Sequence, residues 1–103
     1  MASMQYPGAQ SERRIELAPI LDLNAASPLV GEFLSHRGEE VIVDASRVQR
    51  LGGQCLQVLL SAAMTWKADE TPLAVVNPSP DFIEWLRRLG LSPADFIDQE
   101  LPK

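Results

Sequence analysis

One cysteine, Cys55, and one histidine, His36, are all that the 103 residues supply of the two side chains most used to bind metals or attack substrates. A lone cysteine excludes an intramolecular disulfide framework. Together the pair falls short of a structural zinc site unless several carboxylates join it. The acidic residues are scattered, adjacent only at Glu39-Glu40 and Asp69-Glu70, so no metal and no cofactor is expected. Positive charge is short as well: nine Lys+Arg against fourteen Asp+Glu leave a formal net charge of −5. That balance argues against a nucleic-acid partner, because such binding rests largely on cationic neutralisation of phosphates. Long apolar runs are missing too. The longest apolar-dominated stretch, Cys55 to Trp66, is broken by Gln57, Ser61 and Thr65. The first fourteen residues are polar and lack the apolar segment of a signal peptide. A cytoplasmic protein with no direct membrane insertion is the expectation.

What is present is a hydrophobic fraction of 46%, enough to build a core without covalent staples. Length points to one domain. Residues 1–12, rich in small and polar side chains, read as a flexible lead, and 13–103 as the domain. Ile15-Glu16-Leu17 alternates like a half-buried strand, and Ile20 to Leu23 offers a second. Asn24 and Ser27 are candidate helix caps, with Pro28 suited to a first helical position. Leu29, Val30, Phe33 and Leu34 then mark one helical face, which Gly38 terminates. Glu40 to Asp44 is a β-branched run that reads as a central strand. Gln54 to Lys67 has no Gly or Pro. It carries two adjoining apolar faces, Cys55, Leu59, Ala62, Trp66 and Leu56, Leu60, Ala63. Leu73 to Val76 is another strand. Ser79 and Pro80 open a last helix with Phe82, Ile83, Leu86 and Leu89 buried, and Gly90 ends it. A short closing turn or strand is expected around Phe96-Ile97. The order β, β, α, β, α, β, α implies an α/β domain with at least a partly parallel sheet.

In such folds partners bind at loops beyond the carboxyl ends of the strands. Two loops qualify, Ala45 to Gly53 and Asn77 to Pro80. Gly52-Gly53 opening a helix could present amides to an anion, but no phosphate-loop motif and no nearby Lys surrounds it. A sharp turn and close helix packing is the reading favoured. Arg47 and Arg50, with Gln49 between them, give a positive patch suited to a carboxylate-rich or phosphorylated partner; equally, they are two solvated loop charges. Cys55 near a helix start could be an activated thiol, yet its only candidate base is His36, at the polar end of another helix. A small buried hydrophobe is the better reading of Cys55. Trp66 and Trp85 read as core or rim residues.

The run from Val41 to Leu60 resembles the central signature of STAS domains, the anti-sigma factor antagonist family. There a strand ending in Asp-Leu-Ser is followed by a short loop and an Asp-Ser-Ser-Gly-Leu type motif that opens an apolar helix. Here Asp44, Ala45 and Ser46 match the first element, and Gly52 to Leu56 the second. Leu21 to Ala26 is similar to the family's helix entry. Ala74 to Ser79 and Leu86 to Leu91 are similar to its fourth strand and following helix. The resemblance covers residues 14–101. It implies a STAS-like single domain, with a small mixed sheet of four to five strands and three to four helices. The family's regulatory Ser or Thr falls on Gln54, its neighbour on Gly53 and the motif's Asp on Gly52. Gln54 is therefore a phosphoacceptor-equivalent position that cannot be phosphorylated; Ser46 and Ser61 remain as hydroxyls, the first better read as a turn former and the second as a polar position within a helix.

The expectation is a non-enzymatic regulatory module that docks a kinase-type protein, a histidine kinase or anti-sigma factor. Its binding residues would be Arg47, Gln49, Arg50, Gly52, Gly53, Gln54 and Gln57, with the neighbouring helix face. The wording of the signature is closest to the chemotaxis-associated kind, whose partner is the chemotaxis histidine kinase. The alternatives are a cytoplasmic accessory subunit of a lipid-transport ABC system and a small thiol enzyme built on Cys55.

Overall fold

A computed structural model describes residues 12–92. The expected lead and the closing element at Phe96-Ile97 lie outside them, apart from Glu12 at the edge of the first strand. Three strands, β1 (Glu12–Glu16), β3 (Glu40–Asp44) and β5 (Leu73–Val76), form a parallel sheet in the order β1-β3-β5. Two short strands, β2 (Ile20–Leu21) and β4 (Arg50–Leu51), form a separate parallel pair. Three helices, α1 (Leu23–Ser35), α2 (Gly53–Ala68) and α3 (Pro80–Arg88), complete an α/β domain. All described strand pairs are parallel, so the five strands divide into two parallel sheets rather than one mixed sheet.

The register follows from side-chain alternation. Ile15 pairs with Val43 and Val43 with Val75, while Val41 pairs with Leu73; all are buried on one face. The opposite face carries Arg14, Ile42 and Ala74 in one row and Glu16, Asp44 and Val76 in the next. The helices contribute Leu29, Phe33, Cys55, Leu59, Trp66, Phe82 and Leu86 to the single core. Trp66 meets Phe33 edge to face, with ring centroids 5.9 Å apart, and its indole donates to the Glu39 carbonyl at 2.7 Å. Among the described residues no helix is long and apolar enough to cross a membrane.

Ser79 caps α3 as expected, its hydroxyl accepting from the Phe82 amide at 2.9 Å. The first helix instead starts one turn earlier than Ser27-Pro28 suggested. Asp22 caps it, its carboxylate accepting from the Ala25 amide at 3.2 Å, and Pro28 lies inside the helix. An interior proline forfeits one backbone bond. Burial of Leu29 and Phe33 beyond it holds the helix on course. At the far end of α3, Gly90 at φ +91 lets its amide reach the Arg87 carbonyl and lets Leu91 reach Leu86. That pair of bonds is a Schellman stop.

Candidate functional site

The connection from β3 to α2 runs over the end of both sheets and is held from two sides. On one side the Gln49 and Arg50 amides donate to the Pro19 carbonyl at 2.8 and 3.0 Å, and the Gly52 amide donates to Leu21 at 2.9 Å. These bonds make Arg50-Leu51 a short strand where a loop was expected, with Leu51 fully buried against the core. On the other side the turn before α3 supplies donors. The Ser79 amide reaches the Ala45 carbonyl at 3.1 Å and its hydroxyl the Val48 carbonyl at 2.6 Å. The Trp85 indole donates to the Gln49 carbonyl at 3.1 Å. The two loops singled out from the sequence are therefore one structure.

Its side chains alternate in and out. Ala45, Val48 and Leu51 are buried, whereas Ser46, Arg47, Gln49 and Arg50 are exposed. Beneath the loop lies Asp44, the one buried charged side chain among the described residues, 9% exposed. It accepts from the Ser46 amide at 2.9 Å and from Arg14 at 2.6 Å. The hydrogen bonds from Ser46, followed by the Arg14 guanidinium, lower its pKa to about 2. Asp44 thereby fixes the first turn of the loop. The expected positive patch is only partly free: Arg47 lies 3.6 Å from Glu16, while Arg50 makes no ion pair among the described residues.

Gly52 caps α2 in extended conformation, with no side-chain bond to the helix amides. A Cβ there would stand 3.3 Å from the Leu21 carbonyl, so Gly52 serves the close packing expected of the pair, whereas a Cβ at Gly53 would meet nothing within 4 Å. Gly53 begins the helix, and Gln54 and Gln57 project outward from its first two turns. Cys55 is fully buried, its thiol donating to the Asp22 carbonyl at 3.3 Å. Burial, and then the charge of Asp22, raise its pKa, which removes the basis for an activated nucleophile. His36 caps the other end of α1, roughly 20 Å along the helix from Asp22, and pairs with Glu39 at 3.3 Å. The structure does not bring the cysteine and the histidine together.

Beside the loop, α1 and α2 enclose an open groove of about 260 Å³. Val30, Phe33 and Leu34 of α1 line one side, with Arg37 just beyond the helix; α2 lines the other with Gln54, Gln57, Ser61 and Thr65 beside apolar Val58, Ala62 and Trp66. The sequence puts Val30 and Leu34 on one helical face with Leu29 and Phe33. The structure buries only the latter two, leaving Leu34 62% exposed. Four residues spread over two adjacent helix positions make a wider apolar arc than one neighbour covers, and that width was the available signal. On α2 the outward residues from Gly53 to Thr65 include no charge, and Met64 is 73% exposed. Such a face differs from an ordinary solvated one, which carries mixed charge.

The site thus joins an exposed loop, a helix start and a groove whose one charged lining residue is Arg37. Of the expected site residues, Arg47, Gln49 and Arg50 stand on the loop and Gln54 and Gln57 on the groove side of α2, with Gly52 and Gly53 between them. Ser46 is exposed on the loop, and Ser61 opens into the groove. No curated protein matches the chain. A family profile described as "Mlab, STAS domain" matches residues 4–97. That match spans most of the sequence and coincides with the α/β arrangement above; the chain belongs to the STAS-domain family.

Proposed function

We propose that this chain is a non-enzymatic regulatory module of the anti-sigma factor antagonist type. It docks a kinase-type signalling protein through residues 46–57 and the adjoining α1–α2 groove, without a phosphorylation switch. The observation that carries this reading is the continuity of one exposed surface from Arg50 through Gln54 and Gln57 into the groove. An amide stands at the position where the family's hydroxyl would sit. The loop is held by hydrogen bonds already made in the free chain, the condition under which modest contacts give useful affinity. Binding needs no catalytic group. Within the described residues the one cysteine is buried and no cluster of three metal-binding side chains occurs. Among kinase-type partners, the chemotaxis histidine kinase fits the wording of the signature.

A second reading is an accessory subunit of a lipid-transport ABC system, using the same surface on an ATPase domain in the cytoplasm. The family description, which names Mlab rather than a chemotaxis protein, keeps this reading in view. One experiment separates the two. Affinity purification of the full chain, with mass spectrometry of what it retains, should recover a kinase or kinase-associated protein from the soluble fraction. Recovery of an ATPase with membrane material supports the second reading. In either case, retention should fall in the Arg50→Ala, Gln54→Ala double variant while its melting temperature stays close to wild type. Unchanged retention by a folded double variant places the docking site elsewhere.

A further inference from the structure

The docking loop owes its shape to residues outside it. Between Ala45 and Gln49, three carbonyls accept hydrogen bonds from α3 or the turn leading into it. Ala45 takes the Ser79 amide, Val48 the Ser79 hydroxyl and Gln49 the Trp85 indole. The last two donors come from side chains, so they can be removed without altering the backbone. Trp85 is itself held, with the Arg88 guanidinium 5.1 Å from the ring centroid and Arg88 paired to Glu84 at 3.6 Å. Ser79 has two duties at one oxygen. It accepts from the Phe82 amide, capping α3, and donates its proton to Val48.

From this geometry we infer that Ser79 and Trp85 are positioning residues for docking: they clamp the Val48 and Gln49 carbonyls and so set the direction in which Arg47, Gln49 and Arg50 project to a partner. The inference rests on the docking reading above and adds to it that affinity is governed from α3, which the partner need not touch. The loop's opposite edge is already fixed by the Pro19 and Leu21 carbonyls. Release of the α3 edge therefore converts a doubly held segment into a singly held one. Its ordering is then charged to the binding step.

The two duties of Ser79 make the inference testable. Ser79→Thr keeps both the cap and the donated proton. Ser79→Asp keeps the cap, since a carboxylate accepts from the Phe82 amide, but at neutral pH it has no proton to give Val48. Trp85→Phe keeps the ring and removes the indole donor. Amide hydrogen exchange reads the loop, through Gln49 and Arg50, without any partner. Retention of the protein that co-purifies with the wild-type chain reads docking.

The expected result is wild-type behaviour for Ser79→Thr. For Ser79→Asp and Trp85→Phe, the Gln49 and Arg50 amides should exchange about tenfold faster, the scale of one lost hydrogen bond. Retention should fall about fivefold or more, by the same scale, while the α3 amides keep wild-type protection in Ser79→Asp. Wild-type exchange of the loop in folded Ser79→Asp and Trp85→Phe overturns the clamp. Faster exchange with unchanged retention, while Arg50→Ala, Gln54→Ala still loses the partner, overturns its role in docking and leaves the docking site standing. Unchanged retention in the double variant as well overturns the docking site itself.

Discussion

Replacing Gln54 by Glu changes an amide to a carboxylate of the same shape, and the structure gives it opposite effects on folding and on docking. The first turn of α2 contains no acidic residue, and its cap, Gly52, offers no side-chain acceptor. The first intrahelical bond, from Leu56 to the Gly52 carbonyl, leaves the amides of Gly53, Gln54 and Cys55 without intrahelical partners. A negative charge in that turn faces the positive end of the helix dipole and should stabilise the fold by about 0.3–1 kcal/mol. In a domain of this size, that raises the melting temperature by about 2–6 °C. The gain should shrink in high salt, because Gln54 is exposed. Docking should respond the other way. A carboxylate trapped at an interface next to a partner that faces Arg47 and Arg50 loses hydration and meets like charge. A tenfold weaker complex, about 1.4 kcal/mol, is the expected scale. Thermal unfolding at low and high salt, combined with titration of the purified partner, measures both. Loss of affinity accompanied by loss of stability would mean that Gln54 acts through folding. A more stable variant with unchanged affinity would remove Gln54 from the interface.

Further outcomes follow from other parts of the fold. The Ser46 hydrogen bonds and the Arg14 guanidinium hold Asp44 at about 2, below the usual aspartate range, so its contribution to stability is complete above about pH 4 and disappears between about pH 4 and 2. Acid titrations of unfolding should show that slope in the wild type and lack it in Asp44→Asn, which should be less stable near neutrality. Trp66→Phe keeps the edge contact with Phe33 but loses the bond to the Glu39 carbonyl and part of the ring volume. About 2 kcal/mol of destabilisation is expected from the two losses, and urea unfolding with an unchanged slope would verify it. Cys55 should react with a thiol reagent only as fast as the chain opens; rapid labelling of the native protein would contradict its burial and raised pKa.

The elements that carry dense local signals were legible in the sequence. β3, β5, α2 and α3 stand where short apolar runs, absence of Gly and Pro, and the Ser79-Pro80 pair put them. The start of α1 was less so. Two capping candidates followed by a proline outweighed Asp22, whose advantage comes from the turn it makes after β2 and from Cys55 bonding its carbonyl. β2 falls within the strand expected over Ile20 to Leu23, but β4 lies in a stretch that reads as loop, because a two-residue strand has no periodicity; it exists through the Pro19 and Leu21 carbonyls. For the site, Gln54 and the glycines could be located from the signature alone. The groove could not, since whether Val30 and Leu34 are core or surface depends on how α1 is rotated against α2. Nor could the anchoring of the loop by Ser79 and Trp85, more than thirty residues away in sequence.

The central claim is that one continuous surface, from the loop at 46–50 into the α1–α2 groove, receives the partner. Hydrogen exchange of the full chain, free and in complex with the protein it co-purifies with, tests this most directly. Protection on binding should concentrate in residues 46–61 and along the outer side of α1 at Val30 and Leu34. Protection confined to the face of the three-stranded sheet that carries Ile42, Ala74 and Val76 would contradict it.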